Sequence, residues 1–181
     1  MDSLKITSTN IEGLYIIEPT VYADNRGDFF EAFNKQELSQ YGLTQVFVQD
    51  NEVTNHKGVL RGMHINVNNP QGKLIRVLDG SIFDVVVDLR KNSDTFMQAF
   101  SVELSAKNKR QLYLPERMGH GYLSLENSRI LFKVTTHYMP NDEIGFSWKS
   151  VNIDWPIGEL EIIQNERDLS SPIISEIIER L

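Results

Sequence analysis

The chain of 181 residues has the length of one domain and an ordinary globular composition, 40% hydrophobic and 24% charged. Its net charge of −7 argues against nucleic acid as a partner, and no apolar run nears the roughly 18 residues of a membrane span. The absence of cysteine excludes disulfides, thiolate metal sites and a thiol nucleophile. Met1-Asp2-Ser3-Leu4-Lys5 has no hydrophobic signal core, so the expectation is a cytoplasmic protein with one domain over 1–181.

Short apolar, β-branched and aromatic runs recur along the chain with turn residues between them. In order they are Leu14–Ile17, Phe29–Phe33, Val46–Val48, Val59–Met63, Leu74–Leu78, Ile82–Leu89, Phe100–Leu104, Gln111–Leu114, Gly121–Leu125, Ile130–Val134 and Ile144–Trp148. Only Lys35–Tyr41 and Pro172–Leu181 read as helices. Many strands with so few helices predict an all-β antiparallel sandwich or barrel rather than βαβ units. Asp79-Gly80 predicts a hairpin between Leu74–Leu78 and Ile82–Leu89. In the latter run Asp84 and Asp88 share a face with Ile82 and Val86, facing either a polar lumen or solvent. At the C-terminus, Ser171 suits an N-cap and Pro172 a first helical position. Ile173, Ile174, Ile177, Ile178 and Leu181 then form the apolar stripe of a docking helix.

His64 and His120 sit near predicted strand ends, where two imidazoles can enter one cavity or serve structural roles. His64-Ile65-Asn66 lacks the second histidine of a His-x-His metal site, and two isolated histidines fall short of the usual three protein ligands, so no metal is expected. Arg26, Arg61, Lys73 and Arg167 would suit a phosphate if they converged, but each alone also reads as a solvated charge. Strict alternation sets Arg61 and His64 on opposite faces, unless the strand bulges at Gly62 or the two sit at different depths with Arg61 reaching around the rim.

Eight stretches then carry a resemblance. They are Asp24-Asn25-Arg26-Gly27-Asp28-Phe29-Phe30-Glu31, Phe47-Val48-Gln49-Asp50-Asn51, Gly58-Val59-Leu60-Arg61-Gly62-Met63-His64 and Pro70-Gln71-Gly72-Lys73-Leu74. Asp84 to Arg90, Pro115 to Tyr122, Tyr138-Met139-Pro140 and Ile153-Asp154-Trp155-Pro156 follow. In this order and spacing the chain resembles the dTDP-4-dehydrorhamnose 3,5-epimerase family, from about residue 12 to 170.

The resemblance implies a cupin-type jelly roll with short flanking helices and a C-terminal helix. It also implies a cofactor-independent epimerase of a nucleotide-linked, dTDP-type 4-keto-6-deoxyhexose in deoxysugar and polysaccharide biosynthesis. It makes His64 the base, Asp168 its orienting carboxylate and Lys73 the cation beside the C4 oxygen. Arg26, Glu31, Gln49, Asn51, Arg61, His120 and Glu143 become nucleotide and diphosphate contacts, and Tyr138 the aromatic stacked on the base. It implies a homodimer in which Arg26 and Glu31 serve the partner's site.

Two positions depart from the pattern. Phe132 stands where the family has its proton-donating tyrosine, and Arg167 stands where it has lysine. The first leaves three outcomes. The enzyme inverts a single carbon (C3 or C5) with water or Tyr138 returning the proton, inverts both with another donor, or only binds. The rivals are therefore a non-catalytic nucleotide-sugar-binding cupin and a metal-dependent cupin.

Overall fold

The computed structural model describes residues 4–139 and 141–181, so the expectations on Met1-Asp2-Ser3 and on Pro140 lie outside the described residues. The strands are β1 (Leu4–Ser8), β2 (Tyr15–Pro19), β3 (Tyr22–Asp24), β4 (Gly27–Phe29), β5 (Gln49–Asn55), β6 (Leu60–Asn66), β7 (Lys73–Asp79), β8 (Ser81–Asp88), β9 (Ala99–Ser105), β10 (Gln111–Leu114), β11 (Met118–Ser124), β12 (Ser128–Val134) and β13 (Glu143–Gly145). Three short α-helices accompany them: α1 (Lys35–Gln40), α2 (Glu166–Leu169) and α3 (Ile174–Ile177). Two antiparallel sheets face each other, one ordered β1-β2-β10-β7-β12-β5 and the other β13-β6-β11-β8-β9. This is the expected all-β jelly roll of the cupin type.

Alternation along the strands sorts the side chains. Ile75, Val77, Leu112 and Ile130 from the larger sheet meet Ile82, Val86, Leu104 and Tyr122 from the smaller, and fill one end of the space between them. The outer face of the smaller sheet is also dry. Met63, Ile65, Val85 and Val87 pack under Phe146, Val151, Ile174 and Ile177. On the larger sheet, Leu38 and Leu43 of the α1 region cover Ile17, Leu74 and Tyr113. With one end of the lumen packed and both outer faces partly clad, the open end is where polar side chains collect.

Several expectations are corrected. Phe29–Phe33 is strand only at its start, where the exposed hairpin β3–β4 ends, and Val46–Val48 leads into β5 without belonging to it. The last predicted strand, Ile144–Trp148, gives way after Gly145 to a 3₁₀ turn over Trp148–Ser150. Asp79-Gly80 is no hairpin, because β7 belongs to one sheet and β8 to the other. Gly80, at φ +71°, turns the corner between the sheets, and a Cβ there would run into the carbonyl of Asn127. The C-terminal helix is shorter than predicted, α3 followed by a 3₁₀ turn over Ile178–Arg180, though Ile174 and Ile177 do dock. Ser171 does not cap it. Ile173 holds the N-cap position, while the Ser171 hydroxyl donates to the carbonyl of Arg167.

The parity conflict between Arg61 and His64 is resolved by a bulge. His120 pairs with His64 but Tyr122 pairs with Arg61, so two steps on β11 match three on β6. The extra residue lets Arg61 and His64 share the lumen, while Met63 turns into the outer core. Gly62 makes this possible, at φ +106° with its α-carbon pressed against β11. A Cβ there would lie 2.7 Å from the carbonyl oxygen of His120 and 2.8 Å from the α-carbon of Gly121, both rigid backbone. Gly62→Ala is therefore expected to lower stability by about 2 kcal/mol, read as a lower denaturant midpoint at unchanged slope.

Candidate active site

The open end of the barrel is a cavity of about 400 Å³. The smaller sheet contributes Arg61, His64, Asn66, His120, Tyr122 and Glu143. The facing sheet contributes Gln49, Asn51, Lys73, Ile75, Ile130 and Phe132, while Gln71 and Tyr138 come from loops. Thus nine of the thirteen residues singled out in the sequence line one hollow: His64, Lys73, Gln49, Asn51, Arg61, His120, Phe132, Tyr138 and Glu143.

His64 is held from behind by α2. Its Nε2 lies 2.7 Å from Oδ1 of Asp168, which is almost fully buried. The side chain of Asn165 caps α2 by accepting the amide of Asp168 at 2.7 Å, and Oδ2 of Asp168 accepts the amide of Gly62 at 3.1 Å. Both carboxylate oxygens are therefore fixed. Burial disfavours the charge on Asp168, but His64, the Gly62 amide and Arg167 outweigh it and hold the carboxyl below its ordinary value. An ionised carboxylate only accepts, so Nε2–H of His64 donates, and in the neutral form of the ring the lone pair lies on Nδ1. Nδ1 stands 3.7 Å from Oε1 of Glu143. An imidazole held in this way can take a proton at Nδ1.

Lys73 opens β7 on the opposite wall. Burial lowers its ammonium from the usual lysine value, opposed by the nearby charges of Glu143 and Asp84. Among the described residues the Lys73 ammonium has no hydrogen-bond or ion-pair partner, so its protons are available to a ligand oxygen. Asp84 does not face solvent. It is fully buried, and both its oxygens lie 3.0 Å from Nε2 of His120. Asp88 is equally buried but structural, tied to Arg90, Ser93 and Thr95 in the loop after β8.

At the mouth, the amide of Gln49 donates to Oδ1 of Asn51 at 2.8 Å and accepts the backbone N–H of Tyr138 at 3.3 Å. This linkage leaves the Tyr138 ring exposed at the rim. Among the described residues no cluster of three or more His, Asp or Glu has a metal-binding arrangement, and no helix is long and apolar enough to cross a membrane.

The sequence profile described as dTDP-4-dehydrorhamnose 3,5-epimerase matches residues 8–176. The chain belongs to the dTDP-4-dehydrorhamnose 3,5-epimerase family. It is 44% identical over 172 residues to the dTDP-4-dehydrorhamnose 3,5-epimerase of Methanothermobacter thermautotrophicus, covering 93% of each chain. Its fold is similar to a dTDP-6-deoxy-D-glucose-3,5-epimerase of Legionella pneumophila solved with dTDP-4-keto-L-rhamnose, at TM-score 0.92 and 39% identity over 96% of this chain and 94% of that one. A 3′-monoepimerase of Streptomyces bikiniensis, solved with dTDP-quinovose, is similar at TM-score 0.87 and 29% identity over 95% of this chain and 88% of that one.

Within this member of the family, the remaining expected site residues lie outside the hollow. Asp168 stands behind His64 rather than in the lining, and Arg167 sits at the rim, 2.8 Å from Oε1 of Glu143. Arg26 and Glu31 do not reach the cavity of their own chain. Arg26 is at the exposed tip of hairpin β3–β4, paired with Asp24 at 2.6 Å, and Glu31 accepts from Asn34 at 3.0 Å just before α1. The sequence reading missed Asn66, Gln71 and Tyr122 as lining residues and Asn55 behind them. Parity along β5 from Gln49 and Asn51 leads to Asn55, but the strand itself was not foreseen.

Proposed function

We propose that the protein is a cofactor-independent epimerase of a dTDP-linked 4-keto-6-deoxyhexose in deoxysugar biosynthesis, inverting a single carbon next to the C4 ketone. The observation that carries this reading is the opposition of His64 and Lys73 across one cavity, with Asp168 fixing the imidazole. A hydrogen α to a ketone is acidic only to the extent that the enolate oxygen is stabilised. In this reading Nδ1 of His64 removes the hydrogen from C3 or C5, and the Lys73 ammonium holds the C4 oxyanion. A proton from water in the open cavity then returns to the opposite face of the carbon, and the ketone itself serves as the electron sink.

Arg61 meets the diphosphate, Gln49, Asn51, His120 and Glu143 contact the nucleotide-sugar, and Arg167 steadies Glu143 from the rim. The ring of Tyr138 stacks on the nucleobase. In a homodimer, hairpin β3–β4 carries Arg26, and the segment after it carries Glu31, towards the second copy's cavity.

Phe132 supports inversion of one carbon. Its ring lines the wall that faces His64, where a side-chain donor for the opposite face would stand, and a phenyl ring has no proton to give, so only a carbon that water can reprotonate inverts. In D2O with dTDP-4-keto-6-deoxyglucose, NMR is expected to find deuterium entering at one of C3 and C5. Phe132→Tyr is expected to add exchange at the other. Exchange at both carbons in the unaltered protein would overturn the single-carbon reading. Phe132 also favours a second reading, a nucleotide-sugar-binding protein without catalysis, for which the observation would be tight dTDP-sugar binding and no exchange at either carbon.

A further inference from the structure

We infer that Asn55 is a positioning residue that aims Arg61 at the diphosphate, an inference that rests on the nucleotide-sugar reading of the cavity. Asn55 is the last residue of β5, buried, on the same face of the strand as Asn51 and Val53. Its Oδ1 accepts Nε–H of Arg61 at 2.8 Å and the hydroxyl of Tyr122 at 3.3 Å. Its Nδ2 donates to Oγ of Ser128 at 3.3 Å, and Ser128 in turn contacts Oγ of Ser124 at 3.0 Å. A buried polar chain of four residues thus ends on the guanidinium.

The consequence is specific to Arg61. Its chain is long and exposed, and left loose it would lose rotamer freedom on gripping a ligand. Asn55 bonds only Nε, so both terminal nitrogens stay free for a bidentate grip on phosphate oxygens. Among the described residues no carboxylate forms an ion pair with Arg61, so its positive charge is not spent within the protein. A neutral amide is the fitting partner, because it fixes the side chain without neutralising it. A carboxylate at the same place would fix it equally well and cancel the charge.

The test is calorimetric binding of dTDP and of thymidine to the full chain. Asn55→Ala is expected to weaken dTDP about tenfold and to leave thymidine within twofold. Asn55→Asp keeps the acceptor yet is expected to weaken dTDP at least as much. In an Arg61→Ala background, Asn55→Ala should change dTDP affinity by less than twofold. Melting temperatures of the same samples separate these effects from loss of fold. Three results overturn the inference alone: a folded Asn55→Ala that binds dTDP like the unaltered protein, equal losses for dTDP and thymidine, or additive losses with Arg61→Ala. Failure of the unaltered protein to bind dTDP would overturn the nucleotide-sugar reading and this inference with it.

Discussion

His64→Asn is expected to slow deuterium incorporation from solvent by about 10²–10⁴-fold while leaving dTDP affinity within a few-fold. The asymmetry follows from position. His64 stands at the end of the hollow backed by α2, whereas the cation read as the diphosphate contact, Arg61, is held separately through Asn55. Asparagine approximates the size of the ring and can still meet Asp168, so the fold around α2 should survive. Asp168→Asn is expected to be intermediate. An amide can present either its oxygen or its NH2 to Nε2, so the tautomer with the lone pair on Nδ1 is no longer enforced. Asp168 also ties catalysis to stability. Its folded carboxyl lies below its ordinary value, so its stabilising contribution is present above about pH 4 and is lost as pH falls through the folded value. Full turnover in His64→Asn, in protein shown to bind dTDP, would remove His64 from the role of base.

What was legible in the sequence follows the physics of each element. Strands with one or two dry faces announce themselves: β8, buried on both faces, and β10 stand where the apolar runs lie. β5 does not, because Gln49 and Asn51 line a polar hollow, Asn55 is buried behind it, and Asp50, Glu52 and Thr54 are exposed, so neither face reads as hydrophobic. Local turn chemistry misled at Gly80, since a positive φ suits a hairpin and a corner between sheets equally. The bulge at Gly62 was inferable only as the way out of a contradiction in parity. The pair at the centre of the site was not inferable from pattern at all: His64 and Asp168 are 104 residues apart, joined by a four-residue helix too short to leave a periodic signal. Only the likeness of whole motifs brought them together beforehand.

Lys73→Met is expected to lower the rate of exchange by about 10²–10³-fold, the scale for losing a preorganised donor at a developing oxyanion. Methionine fills the same unbranched path without its charge, so β7 should keep its pairing with β10 and β12. Lys73→Arg should not rescue, because a planar guanidinium spreads its charge and places its donors differently from the compact ammonium that meets the oxyanion. The pH dependence separates this role from a structural one. Burial lowers the ammonium's pKa, while Glu143 and Asp84 support its charge. As pH rises through that lowered value the oxyanion loses its counter-charge, so the rate should fall on the alkaline side. Glu143→Gln removes one supporting anion and should shift that fall to lower pH. The shift should vanish in Lys73→Met, where no ammonium remains to titrate. An alkaline limb that stays in place in Glu143→Gln, or persists unchanged in Lys73→Met, would assign the titration to another group and leave the C4 oxygen without its proposed partner.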